Sequence, residues 1–459
     1  MPIYTLEADV SLLTQGFGTD KIGQMFGFSF SLFELSMVWG LFFLSAFLAG
    51  LFFLKFLTVH PLRMSFYLSL IWATCMGSLV LLSQPTILSR VWWGVLTWAG
   101  FFLAGYAIQA KIFLSRKEFQ TLPVLKRQRG DPGDGHTAVI YFTHGEPETY
   151  DPISWLNQFR ELDEHKIPFV PFLARPIFIY QLRRKYLLVG RSNHRQMHQR
   201  MLHSLEREYR LAGDDTTRFY LSFLDDNPHL DVAVIQALNE GASKLIVAEV
   251  FVSESNHTME GKHLIEALGL ENYAFPVRYT GPLWDSATLH RMFVERVLAN
   301  LGETEKTKVG VLLVGHGQPD EWDQLFTKQT AHELQFRRFI MDLLIQAGFK
   351  PEYISLAWME FKSPKPAEII ESFVKNGVEK VFYFSAAISA DSIQSQYDIP
   401  ELVHKANVPK GYPLLNLGAW DDDPLVIQSI KEKIDAVIIK SGVSESQSDR
   451  FILGENPQA

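Results

Sequence analysis

The chain divides into an apolar N-terminal part and a longer part in which short β-rich runs alternate with amphipathic segments. From Leu35 to Ala110 the only charged residues are Lys55, Arg63 and Arg90. A membrane-spanning helix needs about 20 mostly apolar residues. The pattern therefore predicts three such helices, at Leu35–Leu57, Met64–Leu82 and Val91–Ala110.

Beyond the third apolar segment, strand patterns and helix patterns alternate along the chain. Strands are predicted at Thr137–Thr143, Phe219–Leu224, Lys244–Phe251, Lys308–Val314, Tyr353–Ala357 and Lys380–Ser385. Helices are predicted at Asn193–Tyr209, Leu230–Glu240, Ser286–Leu301, Thr330–Gln346 and Lys365–Asn376. This alternation indicates parallel sheets with helices on both faces, whose ligands bind beyond the carboxyl ends of the strands.

A sequence repeat indicates that the α/β part is duplicated. The first strand runs into His144-Gly145-Glu146-Pro147-Glu148, and the strand at 308 runs into His316-Gly317-Gln318-Pro319-Asp320. A second pair of similar segments, Glu240–Lys244 and Asn376–Lys380, precedes a later strand in each half. Two ordered matches at equivalent strand edges predict two similar halves around one cleft.

The predicted fold is therefore α/β, with two similar parallel-sheet halves preceded by three transmembrane helices. We expect six segments: an N-terminal segment, a membrane region, a basic linker, the two halves and a tail, at residues 1–30, 31–112, 113–135, 136–305, 306–440 and 441–459.

Composition narrows the function classes. The 459 residues are 47% hydrophobic and 20% charged, which excludes a disordered chain and a collagen-like repeat. The net charge of −8 gives no reason to expect a nucleic acid as a partner. The single cysteine, Cys75, excludes an internal disulfide.

The charges that flank the apolar segments predict the orientation in the membrane. Basic residues follow the third segment closely, and the N-terminus is acidic. The positive-inside rule then places the C-terminal domain in the cytoplasm, and we expect an integral protein of a bacterial inner membrane with three spans. The spans serve either as a simple tether or as a binding region for a partner or a hydrophobic substrate.

His144 and His316 are the main candidates for chemistry. Each follows a buried strand and precedes a glycine that permits a sharp turn. An imidazole at such a position can act as a general base or bind a metal. A histidine that caps a turn is the alternative, but duplication at equivalent edges favours function.

Three further groups are candidates of lower rank. The loop around Glu254 and His257 either joins the cleft edge of His144 or is a polar surface loop. A basic run from Arg183 to Arg200 either binds acidic groups of a large flat ligand or is a solvated or membrane-facing surface. His194 and His198, four residues apart on one helix, either chelate a metal or lie at the surface, and the surface position is favoured.

These motifs resemble those of the class II tetrapyrrole chelatases, which comprise the ferrochelatases and the cobalt or iron sirohydrochlorin chelatases. Ferrochelatases have a strand followed by Gly-x-Pro-Glu-Thr, similar to Gly145–Thr149, and an Arg/Tyr-rich segment, similar to Leu182–Leu202. Their catalytic histidine is similar to His316. The sirohydrochlorin chelatases have two histidines, which His144 and His257 resemble. The likeness covers roughly residues 137–434.

The resemblance implies insertion of a divalent metal, Fe²⁺ first and Co²⁺ as the alternative, into a porphyrin or sirohydrochlorin-type ring. No prosthetic group is implied, since the metal is a substrate. The expected partners are the tetrapyrrole and the lipid bilayer, with a membrane protein as a further candidate. The implied catalytic residues are His316, His144 and His257. The implied metal contacts are His144, His257, Glu254 and His316. The implied substrate contacts are Arg183, Arg184, Tyr186, Arg191 and Gln394.

One departure from the ferrochelatase pattern leaves a second function open. The carboxylate that partners the ferrochelatase histidine falls near Ser392 or Gln394 in this chain. The alternative is therefore a catalytically inactive, chelatase-like subunit that binds a tetrapyrrole or scaffolds a membrane complex. A third alternative is a membrane subunit whose spans carry the function.

Overall fold

The computed structural model describes residues 19–83, 91–117, 121–128, 130–164, 170–270 and 276–452. The chain forms two compact units. The helical unit comprises residues 1–117 and 155–183, and the α/β unit comprises residues 118–154 and 184–459.

Three long apolar helices dominate the helical unit. They are α1 (Thr19–Thr58), α2 (Met64–Leu82) and α3 (Val91–Leu114). Within them, Ser36–Thr58, Pro61–Leu82 and Val91–Leu114 are long and apolar enough to cross a membrane, as predicted. Gly50 and Gly105 let α1 and α3 approach closely, because a Cβ at Gly105 would lie 2.1 Å from the carbonyl oxygen of Phe47.

Residues 155–183 also belong to the helical unit, although the sequence predicts them within the first α/β half. They lie on α4 (Ile153–Glu164) and α5 (Arg175–Val189), with a 3₁₀ turn at Phe172–Ala174. The Tyr106 hydroxyl on α3 donates to the carbonyl of Leu173 at 2.8 Å. This segment therefore packs with the apolar helices instead of completing a sheet layer.

The α/β unit contains two four-stranded parallel sheets. The first has the order β2-β1-β3-β4, and the second has the equivalent order β6-β5-β7-β8. Their strands are β1 (Thr137–Thr143), β2 (Thr217–Phe223), β3 (Lys244–Glu249), β4 (Val277–Tyr279), β5 (Val309–Gly315), β6 (Ile354–Trp358), β7 (Lys380–Ser385) and β8 (Leu414–Asn416). The identical order confirms the duplicated fold.

Helices cover the sheets. They are α6 (His194–Leu211), α7 (Leu230–Asn239), α8 (Asn256–Glu266), α9 (Ala287–Asn300), α10 (Asp320–Leu325), α11 (Thr327–Gln346), α12 (Pro366–Lys375), α13 (Ile399–His404) and α14 (Pro424–Ile452). A five-residue π-helix spans Gln394–Asp398. Short 3₁₀ turns lie at Pro61–Arg63, Lys306–Lys308 and Pro351–Tyr353.

A shared core joins the two halves. It contains Tyr141 and Ile246 from the first sheet together with Val311 and Phe382 from the second. Burial of such large apolar side chains contributes roughly 25 cal/mol per Å² removed from water. The shared core therefore holds the two halves together and fixes the position of the groups at their strand ends.

Candidate active site

Two histidines occupy equivalent positions at the carboxyl ends of the central strands β1 and β5. In each, the Nδ1 atom lies 2.7 Å from the carbonyl oxygen of the following glycine, Gly145 or Gly317. These glycines have φ angles of 89° and 83°, which favour glycine. A carbonyl oxygen only accepts, so Nδ1 carries the proton in both rings of the neutral form. The Nε2 lone pairs of His144 and His316 are thereby directed away from the strand ends.

His144 lies against two groups from its own half. The ring centroids of His144 and His257 are 4.5 Å apart in an edge-to-face arrangement, as predicted for a shared cleft edge. The Nε2 atom of His144 is 3.5 Å from Oδ2 of Asp225, which follows β2. Sequence analysis missed Asp225, and its only signal is its place directly after a buried strand.

A capping box places His257 in the first turn of α8. The Ser255 side chain accepts from the backbone of residue 258, and the Ser255 backbone N–H donates to Oγ1 of Thr258 at 2.9 Å. Such reciprocal bonds satisfy free N–H groups at a helix start. Burial, followed by the charges of His144 and His316, lowers the pKa of His257 well below its ordinary value. His257 therefore stays neutral at physiological pH, and His316 lies within electrostatic range of it.

His316 is held from two directions. Its backbone N–H donates to Oε2 of Glu333 at 2.9 Å, and its Nε2 atom lies 3.3 Å from Nε2 of Gln394. Gln394 begins the π-helix after β7, so it occupies the place in the second half that His257 occupies in the first. The halves thus pair His144 with His257 and His316 with Gln394.

Glu254 makes a different contact from the predicted one. Both of its carboxylate oxygens lie 3.0 Å from Nζ of Lys328. Among the residues that the structure describes, no three His, Cys, Asp or Glu side chains are arranged to hold a single metal ion. Within these described residues the site consists of the His144–His257 pair and the His316–Gln394 pair, and not of a preformed chelate of three or more such ligands.

The four basic or aromatic residues predicted to bind substrate are separated by the fold. Arg183 is fully buried in the helical unit, where its Nη1 donates to the carbonyls of Phe56 and, at 3.0 Å, Val59. Arg184 is exposed. Because Arg183 donates to these backbone carbonyls, we do not include it among the proposed substrate contacts.

Tyr186 and Arg191 lie, like Arg184, in the α/β unit. The buried Tyr186 donates from its hydroxyl to the carbonyl of Pro147 at 2.7 Å. Arg191 is exposed, and its Nη1 lies 3.3 Å from Oε1 of Glu148. A polar pocket of about 260 Å³ opens beside Glu148 and Asp225. Arg195, from the same basic run, lines this pocket, and Arg191 borders it through Glu148.

The expectation that His194 and His198 lie at the surface is wrong. Both are buried, with ring centroids 4.4 Å apart, and His198 contacts the Tyr141 hydroxyl through Nδ1 at 2.9 Å. The side chain of Ser389, from the second half, lies 3.2 Å from Nε2 of His198. The amphipathic pattern misled because it treats histidine as a polar, outward-facing residue.

Acid should destabilise the α/β unit through these two buried histidines. Burial lowers the pKa of His198 to about 3 and lowers that of His194 well below its ordinary value of 6.5. Below about pH 6.5 the unfolded chain binds protons at these histidines, whereas the folded chain does not. The free energy of unfolding therefore falls by up to about 1.4 kcal/mol per pH unit for each histidine as pH falls towards 3. In thermal unfolding, His198→Gln should lose less stability than the wild type between pH 7.5 and 5.5.

The exposed His203 on α6 supplies the control for this pH experiment. His203→Gln should show the acid loss of the wild type, since it leaves the buried His194 and His198 in place. Equal acid losses in the His198 and His203 variants would contradict a neutral, buried His198.

The fold is a duplicated α/β domain with a histidine after the central strand of each half. The sequence model described as ferrochelatase matches residues 136–437. The chain therefore belongs to the ferrochelatase family, and its α/β unit is that of a tetrapyrrole metal chelatase. A search of curated protein sequences gave no match.

Three solved structures are similar to the chain at low sequence identity. SirB from Bacillus subtilis with Fe³⁺ is 13% identical, with 65% of this chain and 94% of SirB covered and a TM-score of 0.41. The sirohydrochlorin chelatase SirB from B. subtilis subspecies spizizenii, in complex with cobalt, is 11% identical over the same shares, with a TM-score of 0.40. The multi-domain protein DR2241 from Deinococcus radiodurans is 16% identical, with 65% of this chain and 54% of DR2241 covered and a TM-score of 0.39.

Proposed function

We propose that this protein is a membrane-anchored chelatase that inserts a divalent metal, Fe²⁺ or Co²⁺, into a porphyrin or sirohydrochlorin-type ring. It is supported by the His144–His257 ring pair in the first half and by the equivalent position of His316 after the central strand of the second half. In His144 and His316, Nδ1 donates to a glycine carbonyl, which leaves Nε2 as the atom that can accept a proton.

Metallation requires proton acceptors, because the ring must lose two pyrrole N–H protons as the metal–nitrogen bonds form. His316 and His144 would each accept one proton at Nε2, since Nδ1 already donates to a glycine carbonyl. The carboxylate of Asp225 would stabilise the imidazolium of His144. Nε2 of His316 lies beside the Gln394 amide instead, which stabilises an imidazolium less than a carboxylate does.

His257 would contact the incoming metal. A neutral imidazole is a good ligand for Fe²⁺ and Co²⁺, and burial keeps His257 unprotonated. Among the described residues, fewer than three His, Cys, Asp or Glu side chains are arranged around one point. A metal that must pass on to the ring would therefore not be held tightly. Tyr186, Arg191 and Gln394 remain as substrate contacts in the proposal, with Arg191 as the partner of ring carboxylates.

The second candidate function is tetrapyrrole binding without metallation. The amide of Gln394 favours it, because an amide beside His316 stabilises an imidazolium less than a carboxylate does. Such a protein would hold the ring and deliver it to a membrane partner.

A metallation assay decides between the two. Full-length protein in detergent is mixed with Fe²⁺ or Co²⁺ under anaerobic conditions, with protoporphyrin, coproporphyrin or sirohydrochlorin, and the ring absorption is followed. Catalysed conversion of any one ring supports the chelatase. Tight binding of a ring with metal insertion no faster than in buffer supports the binding subunit.

The three apolar helices would anchor the protein in the membrane, with the α/β unit in the cytoplasm. In a Cys75→Ser background, a cysteine placed at the exposed Ser115, after α3, should react with an impermeant maleimide only after lysis. A cysteine at Ser83, after α2, should react in intact cells. The reverse pattern would overturn the proposed orientation.

A further inference from the structure

Glu146 joins the two halves beside the candidate active site. It lies two residues after His144, yet its Oε2 atom accepts the backbone N–H of Ile393, in the second half, at 2.9 Å. The same oxygen accepts the hydroxyl of Ser192, which lies between α5 and α6. One carboxyl group therefore holds three segments that are remote in the sequence.

The contact with Ile393 leads directly to His316. Ile393 precedes the π-helix, and the first residue of that helix is Gln394, whose amide lies 3.3 Å from Nε2 of His316. The neighbouring serine bonds, from Ser392 N to Ser395 Oγ at 2.8 Å and from Ser395 Oγ to Asp391, fix the same turn internally. Two other first-half residues contact this turn through side chains, Asn193 at Asp391 (2.9 Å) and Lys185 at Asp398 (2.7 Å). Glu146 differs from them because it bonds the backbone N–H directly before Gln394.

We propose that Glu146 is a positioning residue: through the amide of Ile393 it fixes the π-helical turn so that Gln394 stays against Nε2 of His316. The inference deepens the proposed function, on which its kinetic consequence rests. Glu146 lies on the same loop as His144, so it would couple the position of His144 in the first half to that of His316 in the second half. The two bases would then keep a fixed separation across the ring.

The test separates the acceptor oxygen from the rest of the side chain. Glu146→Gln keeps a carbonyl oxygen that can accept from Ile393, whereas Glu146→Leu has a similar size and no acceptor. We expect Glu146→Leu to lower kcat for metallation about tenfold with little change in KM, since a small misplacement of a catalytic group is costly. Glu146→Gln should restore kcat to within about threefold of the wild type.

A second readout does not depend on activity. The ¹⁵N resonance of Nε2 of His316, measured on the full chain with labelled histidine and assigned with His316→Ala, should shift in Glu146→Leu and keep its wild-type position in Glu146→Gln. The control is Glu249→Leu, because Glu249 is a buried glutamate of the same half whose nearest cation is Lys262, at 3.6 Å. It should leave both kcat and the His316 resonance unchanged.

The outcomes distinguish the positioning role of Glu146 from the proposed chelatase activity. An unshifted His316 resonance in a folded Glu146→Leu protein, or an equal loss in Glu146→Gln and Glu146→Leu, would overturn the positioning role. If the wild type metallates no ring while the resonance shifts as expected, the positioning role stands and the proposed chelatase activity fails. If Glu146→Leu does not fold, Ser192→Ala takes its place and should give a smaller shift in the same direction.

Discussion

Replacing His316 by alanine is expected to lower kcat for metallation by about 10²- to 10⁴-fold, the usual contribution of a general base. Nδ1 of His316 donates to the Gly317 carbonyl, so the lone pair that can accept a proton is on Nε2. The substitution removes that base and leaves the backbone N–H that bonds Glu333 in place. KM for the tetrapyrrole should change little. Steady-state kinetics on the full-length protein measure both constants.

The matched control is His203→Ala, which removes an exposed histidine from α6 and should leave kcat unchanged. His144→Ala should cause a loss at least as large as His316→Ala, because the Asp225 carboxylate would stabilise the imidazolium that His144 forms. Wild-type kcat in His144→Ala, His257→Ala and His316→Ala together would remove the histidines from the mechanism.

The second large effect concerns the helical unit. Gly105→Leu should separate α1 from α3, because even a Cβ at this position would lie 2.1 Å from the Phe47 carbonyl oxygen. A backbone atom cannot move aside as a side chain can, so the two helices must part. The loss is expected to exceed the roughly 1–3 kcal/mol typical of overpacking. Thermal unfolding of the detergent-solubilised protein should show a clear drop in Tm.

Gly100 provides a control on the same helix. A Cβ there meets no atom within 4 Å, so Gly100→Leu adds a similar apolar side chain without a clash. Its Tm should match or exceed that of the wild type, because glycine is a poor helix former. Equal Tm values for the two variants would show that α1 and α3 do not pack at Gly105.

Much of the fold follows from the hydrophobic pattern. The predicted bounds of β1 and β7 agree with the structure, and the other four predicted strands shift by one or two residues. The three-residue strands β4 and β8 were missed, since so short a run carries no periodicity. The packing of residues 155–183 with the apolar helices was also missed, because a helix pattern does not reveal which neighbour its apolar side faces.

The candidate site was predictable only where the repeat marked it. His144 and His316 stand out as a duplicated pair, and the loop of His257 follows the next strand. Asp225 and Glu146 were not found, because their roles depend on the direction of a side chain and on contacts between segments far apart in the sequence. Arg183 was assigned to substrate from its charge, whereas the structure gives it backbone carbonyls of α1 and of the segment after it.

The most direct test of the central claim compares binding and metallation in one sample. A stoichiometric complex of the full-length protein with its best-bound ring is mixed rapidly with Fe²⁺ or Co²⁺, and the bound and metallated fractions are followed together. If the protein is a chelatase, we expect the bound ring to be metallated in a single turnover far faster than the free ring. The His144→Ala and His316→Ala complexes should bind the ring but stay metal-free. A wild-type complex that holds the ring and metallates it no faster than buffer would contradict the chelatase function.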